Sequence, residues 1–474
     1  MNRLLISAAH KSSGKTTLSI GLCAALAQRD LKVQSFKKGP DYIDPLWLSR
    51  ASGRACQNLD FFLMGHEEIH ATFNRYARDA DIALIEGNKG LYDGLDLDGS
   101  NSNAALAKLL GAPVILVIDA RGMTRGVAPL ILGYQAFDRD IRIAGVILNQ
   151  LGGARHERKL RAVIEHYTDV PVIGAVHHDE HMAIVERHLG LMPSNEASAA
   201  NQKIDAIASA VAKQVDLDRL LMIAASAPTL PDKPLPMSLS LRGGKDSDQT
   251  PIKLGIAQDA AFAFYYPADL ESLREHGAEL VPFDTLKDTH LPKVDGLLIG
   301  GGFPEVHMQA LEANRSLRMD IRQAIERGMP MYVECGGLMY LSRSLTWKEQ
   351  RSEMVGAIPA DTVMHDRPQG RGYVKLRETG KLPWPAISEQ GPGREVRAHE
   401  FHYSSLENVA PNLNYAYEVT RGTGIDGHHD GIVHRNVVAC YTHMRNVGEN
   451  HWTARFVEFV RRQRAKYSAI QTAG

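Results

Sequence analysis

Apolar runs appear in the first half of the chain at Leu4 to Ser7, Ile82 to Ile85, Val114 to Ile118 and Ile143 to Leu148, with helix-period segments between them. Strand-length runs without polar alternation, separated by helices, predict a parallel sheet covered on both faces. From Ala224 to Thr250 the periodicity lapses. Pro228, Pro231, Pro234 and Pro236 lead into the polar run Arg242-Gly243-Gly244-Lys245-Asp246-Ser247-Asp248, which has the composition of a linker. Apolar runs resume at Ile252 to Ala257, near Leu297 to Ile299 and at Met331 to Val333, predicting a second α/β unit. The expected organisation is a domain over 1–223, a linker over 224–250 and a domain over 251–466, the last with a Gly/Pro-rich loop over 379–393.

Composition narrows the class. Hydrophobic residues make up 44% and charged residues 23% of the 474, which allows sizeable cores. Lys+Arg 54 against Asp+Glu 55 leaves a formal charge of -1, which argues against nucleic acid or an anionic membrane as the main partner. Cys23, Cys56, Cys335 and Cys440 are widely spread and form no C-x-x-C pair, so neither a disulfide framework nor a zinc site is expected. Met1 to Ala9 leads straight into a loop and reads as a first strand, not a signal peptide, and no apolar stretch is long enough to span a bilayer. These features predict a cytoplasmic enzyme or ATPase.

Two motifs carry chemistry. Ala9-His10-Lys11-Ser12-Ser13-Gly14-Lys15-Thr16 matches the phosphate-loop pattern G-x-x-x-x-G-K-S/T except at its first glycine, and it stands between a strand and the helix pattern that starts at Thr17. Backbone N–H groups over Ser12 to Thr17 suit phosphate oxygens, Lys15 can reach the β- and γ-phosphates of ATP, and Thr16 can hold Mg²⁺. Glu86 follows a strand at the sheet edge where a nucleotide would lie. Asp41, Asp44 and Asp93 sit in Gly/Pro-flanked turns as metal or substrate candidates, with solvated turn acids as the alternative. Asn149 is placed either to read an adenine edge or to cap a loop.

The second motif is Pro330-Met331-Tyr332-Val333-Glu334-Cys335-Gly336-Gly337, a strand that breaks into small residues before a helix pattern. A thiol on such a turn is held exposed, and the helix start behind it favours the thiolate. Backbone N–H groups of Gly301, Gly302 and Gly336 are candidates for an oxyanion hole. His443, at the end of an apolar strand, is the favoured base, with His399 and His402 as competitors.

These residues resemble the cobyrinate a,c-diamide synthase family over nearly the whole chain. The blocks that carry the resemblance are Gly39-Pro40-Asp41-Tyr42-Ile43-Asp44-Pro45, Glu86-Gly87 with Gly90-Leu91-Tyr92-Asp93-Gly94, Glu186 to Leu191, Asp259 to Phe262 with Tyr265-Tyr266-Pro267, Gly300 to Glu305, Glu334 to Gly337 and His399 to Ser404. The resemblance implies an α/β chain: an N-terminal P-loop domain, similar to dethiobiotin synthetase, joined to a class I glutamine amidotransferase domain. It further implies a ligase that converts peripheral acetate carboxylates a and c of a cyclic tetrapyrrole to amides through an acyl phosphate. ATP, Mg²⁺ and glutamine would be needed, and a homodimer is allowed. Thr16, Asp41 and Glu86 would hold the metal. Asp41, Tyr42, Asp44, Asn88, Lys89 and Asp93 would face the substrate.

Two departures stand out. Where the family block reads Glu-Gly-Val-Met-Gly, this chain has Glu86-Gly87-Asn88-Lys89-Gly90, which resembles the relatives associated with dissimilatory sulfite reductase. Sirohaem or sirohydrochlorin is therefore the favoured substrate, with cobyrinate or hydrogenobyrinate as the alternative. After His443 come Met444-Arg445, so the usual His-x-Glu is missing. That leaves a bare Cys–His pair or an orienting group from elsewhere. A remote alternative is an ATPase switch of the partitioning type, but those proteins place Lys where this loop has His10.

Overall fold

Seven strands build the first sheet: β1 (Arg3–Ala8), β2 (Val33–Lys38), β3 (Gln57–Leu59), β4 (Ile82–Glu86), β5 (Val114–Asp119), β6 (Ile143–Leu151) and β7 (Val172–His177). Their order is β3-β2-β4-β1-β5-β6-β7 and every pairing is parallel. The computed structural model describes residues 1–187, 190–194, 199–231, 251–386 and 393–473. It divides into two compact units, Met1–Pro236 and Met237–Gly474. Both units are mixed α/β, and the first carries a wholly parallel sheet.

β1, β4, β5 and β6 stand where the apolar runs predict strands. β2 reads Val-Gln-Ser-Phe-Lys-Lys and hides from that pattern, yet all six of its residues are buried. Helix α1 (Lys15–Ala27) follows β1 and α2 (Ile43–Ser52) follows β2, so both start at the C-terminal edge of the sheet. Gly21 lets another helix, Ala200–Gln214, lie close against α1, because a Cβ there would meet Val211 at 2.5 Å. In the stretch 224–250, a helix runs to Ala225, and the carbonyls of Pro228 and Pro231 accept from Arg3 (2.5 Å) and Asn74 (3.0 Å). Residues 232–250, the core of the expected linker, lie outside the described residues, as do 188–189 of the Glu186 to Leu191 block and 387–392 of the Gly/Pro-rich loop.

The second unit is built on a nine-stranded sheet. Its first five strands run in the order Ala278–Phe283, Ile252–Ala257, Gly296–Ile299, Met331–Glu334, Val437–Cys440, and all pair in parallel. Four antiparallel strands follow: His429–His434, Asn414–Arg421, Gly370–Glu378 and Glu395–His402. Side chains alternate between two apolar layers: Met331 and Val333 pack in one, and Tyr332 packs in the other with Trp384 and Phe456. Two covered faces are why the central strands read as unbroken apolar runs. The last strand bends back, and His399 forms a bridge with His443, just past the end of Val437–Cys440. Among the described residues, no helix is long and apolar enough to cross a membrane.

The turn that carries His443 is fixed by a buried carboxylate. Asp430 accepts from the N–H groups of Tyr441 and Thr442, both at 3.0 Å, and from the Thr442 hydroxyl at 2.5 Å. Truncation would leave two buried N–H groups without partners, and each orphan costs about 1–3 kcal/mol. Asp430→Ala is expected to lower the urea midpoint of the protein, which equilibrium unfolding checks.

Candidate functional site

In the first unit the phosphate loop is held by its neighbours. Ser12 and Gly14 take φ 63° and 82°, the left-handed region. Asn149 donates from Nδ2 to the Ser13 carbonyl at 2.9 Å, and a Cβ on Gly14 would sit 2.2 Å from that nitrogen. Of the two roles expected for Asn149, loop capping is the one its amide nitrogen performs. The Ser13 hydroxyl donates to the His10 carbonyl (2.8 Å), and Tyr134 donates to the carbonyl of Ala9, the residue that replaces the first glycine. Lys15 and Thr16 open α1, with Thr17 behind them. Burial pulls the Lys15 pKa down to about 8, against the opposing charge of Glu86.

Beside the loop lies a cluster centred on Lys37, which the sequence pattern did not single out. Its Nζ is 2.5 Å from Asp44 Oδ2, 2.8 Å from Glu86 Oε1 and 3.8 Å from Asp41 Oδ2. Burial alone would lower its pKa, but Asp44, Glu86 and Asp41 hold it well above the ordinary lysine value. The Thr16 hydroxyl donates to Glu86 Oε1 at 2.7 Å and to Asp44 Oδ2 at 3.2 Å. Burial and the Asp44 charge push Asp41 up to about 7. Asp44 itself is also buried, yet Lys37 carries it below the ordinary range.

The donors fit a magnesium ion. Glu86 Oε2 is buried without a hydrogen-bond partner, next to the Thr16 hydroxyl at the end of the phosphate loop. Among the described residues no group of three His, Cys, Asp or Glu side chains could hold a metal alone. That suits an ion taken mainly through phosphate and water oxygens. The structure brings Asp44, rather than Asp41, against Thr16, because Asp41 Oδ1 is occupied by the N–H groups of Ile43 (2.9 Å) and Asp44 (3.1 Å).

Of the remaining expected substrate residues, Asn88 and Lys89 lie near Lys38. Its Nζ donates to Asn88 Oδ1 at 3.2 Å, and burial lowers its pKa to about 8 while Lys89 adds repulsion. Lys89 itself takes φ 41°. Asp93 accepts from Gly90 N at 2.8 Å and so shapes this loop, and Tyr42 stands at the start of α2. Asn103, also missed from sequence, fastens the segment by donating to the carbonyls of Asn88 and of Gly90, the latter at 2.8 Å.

In the second unit Cys335 takes φ 47° and ψ −101°, and its N–H donates to the Cys440 carbonyl at 2.7 Å. A non-glycine residue there is strained, as nucleophile turns often are. The helix behind it, Gly336–Leu341, has only six residues. The positive charge comes from His443. Burial would lower the His443 pKa, but hydrogen bonds to Cys335 and Glu334 and their charges push it up to about 10. His443 Nδ1 lies 3.3 Å from Glu334 Oε2. A carboxylate thus faces the histidine from the residue just before Cys335.

The two rival histidines have other surroundings. His399 stacks on His443 with centroids 5.0 Å apart, and burial with the His443 and Arg445 charges holds it well below the ordinary histidine value. His402 stacks on Tyr441 and its Nδ1 meets the Ser404 carbonyl at 2.8 Å. The expected oxyanion glycines converge on the thiol's turn. A Cβ on Gly336 would lie 3.1 Å from Gly302 N, and one on Gly301 would lie 2.6 Å from His443 Cε1.

Comparison with known proteins agrees with this geometry. Residues 5–191 match the CobQ/CobB/MinD/ParA nucleotide binding domain family, and residues 253–450 match the CobB/CobQ-like glutamine amidotransferase domain family. The cobyrinate a,c-diamide synthase of Magnetococcus marinus is 48% identical over 470 residues, covering 98% of both chains. The chain belongs to the cobyrinate a,c-diamide synthase family. The enzymes of that name from Methanosarcina acetivorans and Archaeoglobus fulgidus are 41% and 40% identical, over 98% and 96% of this chain and 96% and 97% of theirs. Membership makes this protein a glutamine-hydrolysing amidoligase with ATP as co-substrate.

Lys15, which opens α1 at the phosphate loop, is buried with 7% of the residue exposed. Its folded pKa of about 8 lies below the unfolded lysine value, so charged Lys15 costs stability below pH 8. That cost fades as pH rises from about 8 toward the unfolded value near 10.4. Lys15→Met is expected to raise the melting temperature of the ligand-free protein at pH 7, less so at pH 10, and to remove stabilisation by ATP. Thermal melts with and without ATP at the two pH values check this.

Proposed function

We propose that this protein converts the a and c acetate carboxylates of a cyclic tetrapyrrole to amides, with ATP forming an acyl phosphate and glutamine supplying ammonia. One observation carries the reading: a single chain holds a phosphate loop backed by an acid–lysine cluster and a strained cysteine hydrogen-bonded to His443. A carboxylate is a poor electrophile, and phosphorylation gives it a leaving group. Lys15 is placed to neutralise the transferring phosphoryl oxygens. Thr16 and Glu86 would hold Mg²⁺, with Asp41 and Asp44 beside them, and the ion would supply charge compensation at the phosphates. Lys38, Asn88 and Lys89 form a cationic, hydrogen-bonding segment suited to a substrate rich in carboxylates.

In the second unit His443 accepts the Cys335 proton and the thiolate adds to the glutamine carboxamide carbon. The N–H groups of Gly301, Gly302 and Gly336 are placed for the developing oxyanion. His443 then returns the proton to the departing nitrogen, and ammonia leaves with a thioester on Cys335. Water hydrolyses the thioester to glutamate and restores the thiol. The ammonia displaces phosphate from the acyl phosphate to give the amide.

The names of the relatives favour cobyrinate as acceptor. Asn88 and Lys89 favour the second reading, sirohaem or sirohydrochlorin, because two polar groups replace apolar ones beside the acceptor. Incubation with ATP, glutamine and either tetrapyrrole, followed by mass spectrometry, decides between them and counts hydroxyl-for-amine exchanges. Cys335→Ala is expected to lose glutamine-driven amidation and keep ammonia-driven amidation, whereas Lys15→Ala loses both. Glutaminase activity surviving in Cys335→Ala would remove the thiol from the mechanism.

A further inference from the structure

The residue before the nucleophile occupies an unusual position. Glu334 ends the strand Met331–Glu334 and pairs in register with Cys440, three residues before His443. Its side chain therefore lies next to the turn that carries the base. Oε2 is 3.3 Å from His443 Nδ1, while Oε1 accepts from the Tyr332 hydroxyl at 2.6 Å and from Met444 N at 2.8 Å. Tyr332, two residues back, projects from the same strand face, as period-two geometry requires. The carboxylate is buried, with 6% of the residue exposed, and both oxygens are engaged. Other ionisable groups near His443 include Cys335, which hydrogen-bonds to it, and stacked His399, whose own neighbours include Arg445.

We infer that Glu334 is the positioning residue of the Cys335–His443 pair, contributed by the nucleophile's own strand instead of the histidine's. This rests on the proposed glutaminase reading of Cys335. A carboxylate accepting at Nδ1 forces the proton of neutral His443 onto that nitrogen. The lone pair on Nε2 is then free to take the Cys335 proton, and the negative charge stabilises the imidazolium that results. The Tyr332 and Met444 donors pin the carboxylate, so the imidazole is held in one tautomer and one orientation. Glu334 touches neither glutamine nor the reacting atoms. It acts through His443.

Glu334→Gln separates this role from a structural one. The amide oxygen can still accept from Tyr332 and Met444 N, so the fold loses little. The amide NH₂ instead donates to Nδ1, which places the ring proton on Nε2, the wrong nitrogen for a base. The expected result is a fall in glutaminase kcat of about a hundredfold or more, with KM for glutamine changed less than about threefold. The pH midpoint for iodoacetamide labelling of Cys335, scored against a Cys335→Ala background, is expected to rise by about one unit or more. The melting temperature should stay near that of the wild type.

Wild-type kcat in Glu334→Gln with an unshifted labelling midpoint would overturn the inference while leaving the glutaminase reading intact. Glutamine hydrolysis persisting in Cys335→Ala would overturn the reading itself, and the role of Glu334 with it. Equal loss of kcat and of thermal stability, with no shift in the labelling midpoint, would make Glu334 a structural residue only.

Discussion

A lysine ammonium buried in the first unit organises everything around it. Lys37 stands near the end of β2, 4% exposed at its side chain, and touches acids from β4 and from the first turn of α2. Burying one such charge without compensation would cost several kcal/mol. The compensation draws together Asp44, Glu86 and, through the Thr16 hydroxyl, the end of the phosphate loop. The order β2-β4-β1 is what makes the contact geometrically available, because these three strands are neighbours whose C-terminal ends face one edge. Two carboxylates and one ammonium are thereby preorganised where phosphate charge is to arrive.

The second unit solves a related problem by closing its sheet. Five parallel strands give a crossover edge of the kind that holds a nucleophile turn, and four antiparallel strands return the chain toward it. The bridge between His399 and His443 joins the last strand to the end of the fifth. It carries His443 against Cys335 and stacks a neutral imidazole behind a charged one. Asp430 then fixes the backbone of the same turn from the neighbouring strand. A base that must meet a thiol held at a strained φ needs its own backbone held equally firmly.

The parts visible in the sequence were those whose local pattern carries the information. The phosphate loop, the four long apolar strands of the first sheet and the strand that ends at Cys335 could be read because each is a contiguous signal. β2 could not, since its lysines look solvated until a buried acid cluster is supplied by residues 44 and 86. Glu334 escaped for a similar reason. A glutamate at a strand end reads as an ordinary terminus, and its partner lies 109 residues away. The antiparallel strands escaped because their residues alternate and their pairing is long-range. Asp41 and Asp44 stand three apart in one turn, and the metal was expected at Asp41. Only the direction in which α2 leaves that turn separates the acid that caps backbone from the acid that meets Thr16.

Both sites follow one electrostatic rule. Each keeps ionised groups buried by giving them partners from within the protein, but only the first leaves a group without full compensation until a ligand comes. In the first unit that group is Lys15, held near pH 8 by burial, together with the unbonded oxygen of Glu86. Phosphate and a divalent cation are complementary to those two, so binding relieves a cost that the folded chain already carries. In the second unit Glu334, His443 and Cys335 already meet one another, and what is stored is backbone strain at the thiol. The first site is therefore built to be completed by its ligands, whereas the second is complete before glutamine arrives. That difference follows from the chemistry. A phosphoryl group brings its own charge to the site, whereas a carboxamide is neutral and brings none.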